Sequence, residues 1–122
     1  MAFAIRERRQ DVVAVLALTG ELDMASAPVF QEHVDALVAA GKVQILVDVA
    51  ELSFCDSAGL NAFIRGDRLS AAEGGWLRLT GAQGHVARVI ELSGLHEVLT
   101  YRPEDDEALR QRAADPNSLG SG

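Results

Sequence analysis

Asp56-Ser57-Ala58-Gly59-Leu60 places a serine hydroxyl where a strand pattern gives way to a helical one. Upstream, Val43 to Val49 is apolar apart from Gln44 and Asp48, which reads as a buried strand; downstream, Leu60, Phe63 and Ile64 recur at helical spacing. Ser57 therefore falls at or just before the first helical residue. A hydroxyl there can cap free backbone N–H groups, with Asp56 as the competing cap. Phosphorylated, the same serine would hold a dianion where N–H groups and the helix dipole favour negative charge. Catalytic use fits less well. A serine nucleophile needs a base within hydrogen-bond reach, and Cys55-Asp56-Ser57-Ala58-Gly59 does not match Gly-x-Ser-x-Gly.

The other reactive side chains have plain readings. Asp23 closes the loop-like stretch Thr19-Gly20-Glu21-Leu22-Asp23, where an aspartate commonly bonds its own backbone. Cys55, the single cysteine, behaves as a small buried hydrophobe, because the neighbouring Asp56 disfavours a thiolate. His33, His85 and His96 are scattered, and no Cys or His pair has metal-ligand spacing, so no metal or cofactor is expected. Trp76 reads as sheet packing, and Gly59 as a place where an enzyme can approach the serine backbone closely.

These residues must be positioned by alternating strands and helices. Phe3 and Ile5 mark a first strand, Arg8-Arg9-Gln10-Asp11 a polar turn, and Val12 to Leu18 a second strand antiparallel to the first. Ser26 is the expected N-cap of a helix with Pro28 in its first turn; Phe30, Val34, Leu37 and Val38 give it one apolar face, and Gly41 stops it. After the central strand, a second helix runs from Ser57 to about Glu73. Trp76 to Thr80 alternates as a strand, Val86, Val89 and Ile90 mark a helix ending near Gly94, and Val98 to Tyr101 reads as a short last strand. Pro103 followed by Glu104 to Glu107 signals a terminal helix. The predicted fold class is α/β: one domain over 1–114, a mixed, mostly parallel sheet of about five strands with about four helices, and a disordered tail over 115–122. In such sheets function collects at the carboxyl ends of strands, where both Asp23 and Ser57 fall.

Composition narrows the partners. A formal charge of −7, with 11 basic residues scattered among 18 acidic ones, argues against direct nucleic-acid binding and suits a basic partner protein. The 48% hydrophobic content is enough for one core, while the longest apolar run, Val12 to Leu18, is too short to span a bilayer. A cytoplasmic chain with no membrane partner is expected.

Gly20-Glu21-Leu22-Asp23, Asp48, Leu52-Ser53-Phe54-Cys55-Asp56-Ser57-Ala58-Gly59-Leu60, Gly74-Gly75 and Ser93-Gly94-Leu95 together resemble the bacterial STAS-domain anti-sigma factor antagonists, over roughly residues 3 to 112. The resemblance implies a STAS-like fold and a protein that is not itself an enzyme. It implies Ser57 as the residue phosphorylated by an anti-sigma factor with serine kinase activity, and a metal-dependent serine phosphatase that reverses the modification. The unphosphorylated form would bind the anti-sigma factor and free the sigma factor, with Asp23, Asp56, Ser57, Ala58 and Gly59 at the partner surface. The alternative within the same fold is a scaffold subunit of a larger sensor or transporter-associated complex. This chain departs from its relatives at Ala58, where Ser or Thr is common, and at Asn61, where a glycine is common.

Overall fold

The computed structural model describes residues 2–101. β1 (Ala4–Gln10) and β2 (Val13–Leu22) pair antiparallel through to Gln10↔Val13, so only Asp11 and Val12 make the turn. Asp11 takes a φ of 57°, a left-handed conformation that Asp enters more readily than most residues. Arg8, Arg9 and Gln10, expected in a turn, are therefore strand.

β2 also continues through Thr19-Gly20-Glu21, which the sequence suggested was loop. Gly20 serves a close approach and not a turn: at φ +87° it lies so near the backbone of Ala2 that a Cβ would collide with the Ala2 carbonyl. The β2–β3 register shifts on either side of it.

α1 (Ala27–Ala39) buries Ala27, Phe30, Val34 and Leu37, and the chain returns as β3 (Gln44–Cys55), parallel to β2 and longer than the apolar run at its start. α2 (Ser57–Ala72) leads to β4 (Trp76–Thr80), parallel to β3. α3 (Gly84–Ser93) and the single turn α4 (His96–Leu99) complete the described residues. The sheet order is β1-β2-β3-β4, antiparallel only at β1, with four helices.

The fifth strand expected at Val98 to Tyr101 is absent from this sheet. Leu95 and Leu99 stand at helical spacing and both pack on the core, so the segment coils to bury them. What remains of the strand is one parallel bridge, Thr100 to Leu79, with the Tyr101 amide donating to the Leu79 carbonyl at 2.8 Å. The terminal helix expected from Pro103 and the tail over 115–122 lie outside the described residues.

The core sits between the sheet and its helices. Leu16, Leu18, Ile45, Val47 and Leu77 from the strands are buried in one cluster with Phe30 and Phe63, whose rings meet edge to face at 5.4 Å. Truncating either ring to Ala removes about 3–5 kcal/mol. α2 is locked to β4 through Asp67, whose carboxylate accepts from the Leu77 amide at 3.1 Å and from Arg78 at 2.8 Å. Along the opposite edge, β1 presents Arg6 to Gln10 to solvent without a buried residue among them.

Candidate functional site

Parallel pairing brings the two sequence-distant loops together. Glu21 is opposite Phe54 and Leu22 opposite Cys55, so β2 and β3 end side by side, and Asp23 and Asp56 are the next residues of each. The Asp56 amide donates to the Leu22 carbonyl at 3.3 Å, carrying the contact one residue beyond the strands.

The Asp23 loop is a closed hydrogen-bonded turn. One carboxylate oxygen of Asp23 accepts from the amides of Ala25 at 3.0 Å and Ser26 at 3.1 Å, and from the Ser26 hydroxyl at 3.2 Å. The single Ser26 hydroxyl proton is shared between that carboxylate and the nearer Glu21 carbonyl at 2.7 Å, while the hydroxyl oxygen accepts from the Asp23 amide at 2.9 Å. Ser26 occupies the expected N-cap position of α1, yet its side chain makes no capping bond; it binds the strand end to the turn instead. The backbone bond from Ser26 and the other donors around it hold the Asp23 carboxyl below its usual 3.8.

At α2 the cap is Asp56. Its backbone is extended, and Oδ1 accepts from the amides of Ala58 at 2.9 Å and Gly59 at 3.2 Å. Those bonds take the role offered to Ser57 as a cap. Ser57 is the first helical residue, its side chain is exposed, and among the described residues its hydroxyl makes no hydrogen bond. The result is an exposed, unbonded hydroxyl at the first residue of α2.

Gly59 has a different reason from the one its position suggested. It is buried, and a Cβ there would sit 2.7 Å from the Cys55 sulfur and 3.0 Å from the Leu22 side chain. The missing side chain lets α2 settle onto the ends of β2 and β3; it faces the core and opens no path for an incoming enzyme. Cys55 is correspondingly inert: burial, with Asp56 beside it, pushes the thiol up to about 12. Ala58 is half buried against the core, and Asn61 is exposed one turn after Ser57.

No group of three ligating side chains forms among the described residues. The histidines stand apart from this chemistry: His33 bonds Glu7 at 2.7 Å, and His85 stacks on Phe54 at 5.3 Å. Sequence reasoning located Asp23, Asp56 and Ser57 but missed Ser26 as the residue that fixes the Asp23 loop. A serine three residues after an aspartate was the available signal.

The chain as a whole is similar to known proteins. An anti-sigma-B factor antagonist of Bacillus subtilis is 26% identical over 95 residues, covering 78% of this chain and 84% of the relative. The structure of an anti-sigma factor antagonist from Mycobacterium paratuberculosis superposes with a TM-score of 0.74 at 25% identity, covering 90% of this chain and 93% of that one. The anti-sigma factor antagonist SpoIIAA, in its unphosphorylated form, gives a TM-score of 0.64 at 20% identity over 91% of this chain and 98% of its own, which reports the fold. Residues 5–101 match the family model described as Mlab, STAS domain, and with the four-stranded mixed sheet and its helices in place the chain belongs to the STAS-domain family.

Proposed function

We propose that this chain is an anti-sigma factor antagonist whose binding to a serine-kinase anti-sigma factor is controlled by phosphorylation of Ser57. The observation that carries this reading is the division of labour at the start of α2: Asp56 caps the helix, which leaves the Ser57 hydroxyl exposed and unbonded. The names of the curated relatives support the partner class.

The chemistry is simple at this atom. The Ser57 oxygen attacks the γ-phosphorus of ATP held by the partner, the bond to ADP breaks, and the hydroxyl proton passes to a base on the kinase. Hydrolysis by a serine phosphatase restores the hydroxyl and releases inorganic phosphate. The new group carries about −1.5 to −2 charges. It extends from a helix N-terminus, where the fold tolerates it. In a docked interface it must be desolvated beside Asp56 and Asp23, and an unpaired buried charge costs several kcal/mol. The chain itself performs no catalysis in this reading: no described base bonds the Ser57 hydroxyl. No described helix is long and apolar enough to cross a membrane.

The test is titration calorimetry against the host's anti-sigma factors, purified singly, with and without ATP. Ser57→Ala should bind and stay bound when ATP is present. Ser57→Asp should bind tens to hundreds of times more weakly, following a penalty of a few kcal/mol. Equal binding by the two variants would leave the loop as a static docking surface within a larger assembly.

A further inference from the structure

Beyond Ser57, α2 continues as one wall of an open groove against α1. Its volume is about 610 Å³, and it is lined by Gln31 of α1 and by Asn61, Ile64, Arg65, Arg68 and Leu69 of α2. Ser57, Asn61, Ile64 and Arg68 share one face of the helix by their spacing, so the groove is continuous with the surface that presents the serine.

Its two arginines differ. Arg65 spans to Asp35 on α1 with both guanidinium nitrogens, at 2.9 and 3.2 Å. Arg68 is exposed and, among the described residues, has no partner. The contrast with the serine end is sharp: the stretches 19–26 and 53–61 contain Glu21, Asp23 and Asp56 and no Lys or Arg. On a chain with a formal charge of −7, an uncompensated cation above the aliphatic side chains of Ile64 and Leu69 marks a surface of opposite character to its surroundings.

We propose that this groove is a second docking point for the same partner, taking an acidic amphipathic segment of the anti-sigma factor, with a carboxylate on Arg68 and apolar side chains on Ile64 and Leu69. The proposal rests on the antagonist reading above and adds to it a contact outside the phosphorylated loop. At a rise of 1.5 Å per residue, Arg68 stands about 16 Å along the helix axis from Ser57. That is about two Debye lengths at physiological salt, so the field of a phosphate on Ser57 is largely screened by the time it reaches Arg68 and leaves that contact unopposed. Attachment is then two-point, and phosphorylation removes one point only.

The experiment titrates the anti-sigma factor that binds wild type against full-length Arg68→Glu, Ser57→Asp and the double variant, at about 50 mM and about 300 mM salt. Arg68→Gln and thermal melts of every variant establish that folding is intact. Arg68→Glu should weaken binding about 10- to 100-fold at low salt and less at high salt, and the same factor should recur in the Ser57→Asp background, because sites this far apart act additively. Binding by a folded Arg68→Glu variant within about twofold of wild type at low salt overturns the groove while leaving the Ser57 reading intact. Tighter binding after Glu104, Asp105, Asp106 and Glu107 are all changed to the corresponding amides, with Arg68→Glu neutral, assigns the groove to the chain's own acidic run and also overturns it. Should wild type bind none of the anti-sigma factors, the antagonist reading fails and this proposal with it.

Discussion

Gly59 and Cys55 are packed so closely that the sulfur of Cys55 occupies the space where a side chain at Gly59 would begin, 2.7 Å from an ideal Cβ. This contact sets how near the start of α2 comes to the ends of β2 and β3, and hence where Ser57 stands relative to the Asp23 loop.

Gly59→Ala should therefore destabilise the fold although alanine is the better helix former. Overpacking costs about 1–3 kcal/mol, and the helix-propensity gain returns about 1 kcal/mol of it. Adding Cys55→Ala should recover part of the loss, because it deletes the obstructing sulfur. Urea unfolding of the two single variants and the double variant measures the coupling; strictly additive effects would contradict the contact.

Capping predicts an order of stabilities. Asp56→Ala, which removes the acceptor of two amides, should cost about 0.5–2 kcal/mol. Ser57→Ala removes an exposed hydroxyl with no partner among the described residues, and should stay within about 0.5 kcal/mol of wild type. Denaturation midpoints that reversed this order would return the capping role to Ser57.

Asp23 gives a pH signature of definite sign. Its carboxyl is held below 3.8 in the folded protein, with the backbone bond from Ser26 as the largest cause. A depressed folded value means the charged form stabilises the fold above about pH 3.8, and that this contribution fades as pH falls through the lower folded value. Asp23→Asn keeps an acceptor oxygen but loses the charge. The gap in urea midpoint between wild type and this variant should be open at pH 7 and should narrow only as pH falls below 3.8. A gap independent of pH would remove the charge from the account.

Ser57→Asp tests whether the serine belongs to folding or to recognition. The helix N-terminus favours a carboxylate while Asp56 next to it opposes one, so stability should remain within about 0.5 kcal/mol of wild type. Thermal melting that showed a loss of several kcal/mol would mean that the loop cannot accommodate negative charge, and the proposed modification would then unfold the domain.

Much of this could be read from the chain because the decisive patterns are local. Apolar spacing located α1 and α2, and Gly74 with Gly75 separated α2 from β4. Asp23 and Ser57 were both assigned to strand ends from element order alone. What escaped depended on partners remote in sequence. Thr19-Gly20-Glu21 looks like a turn until Ala2 is seen packed on Gly20. Val98 to Tyr101 alternates like a strand, yet Leu95 and Leu99 both reach the core when that segment coils. The role of Gly59 needed the position of Cys55, and the groove at Arg68 needed α1 beside α2.

The two borders of the sheet limit how this molecule can assemble. An unpaired border strand is an invitation to add a foreign strand, and proteins commonly refuse it with charge or with cover. β1 refuses it with Arg6, Glu7, Arg8 and Arg9 in succession, all exposed. β4 refuses it differently: Asp67 takes the Leu77 amide, and Tyr101 of the same chain takes the Leu79 carbonyl. Charge on one flank and cover on the other guard the sheet against fibre-like stacking, so a partner proposed for this molecule has to be met by side chains and not by an added strand.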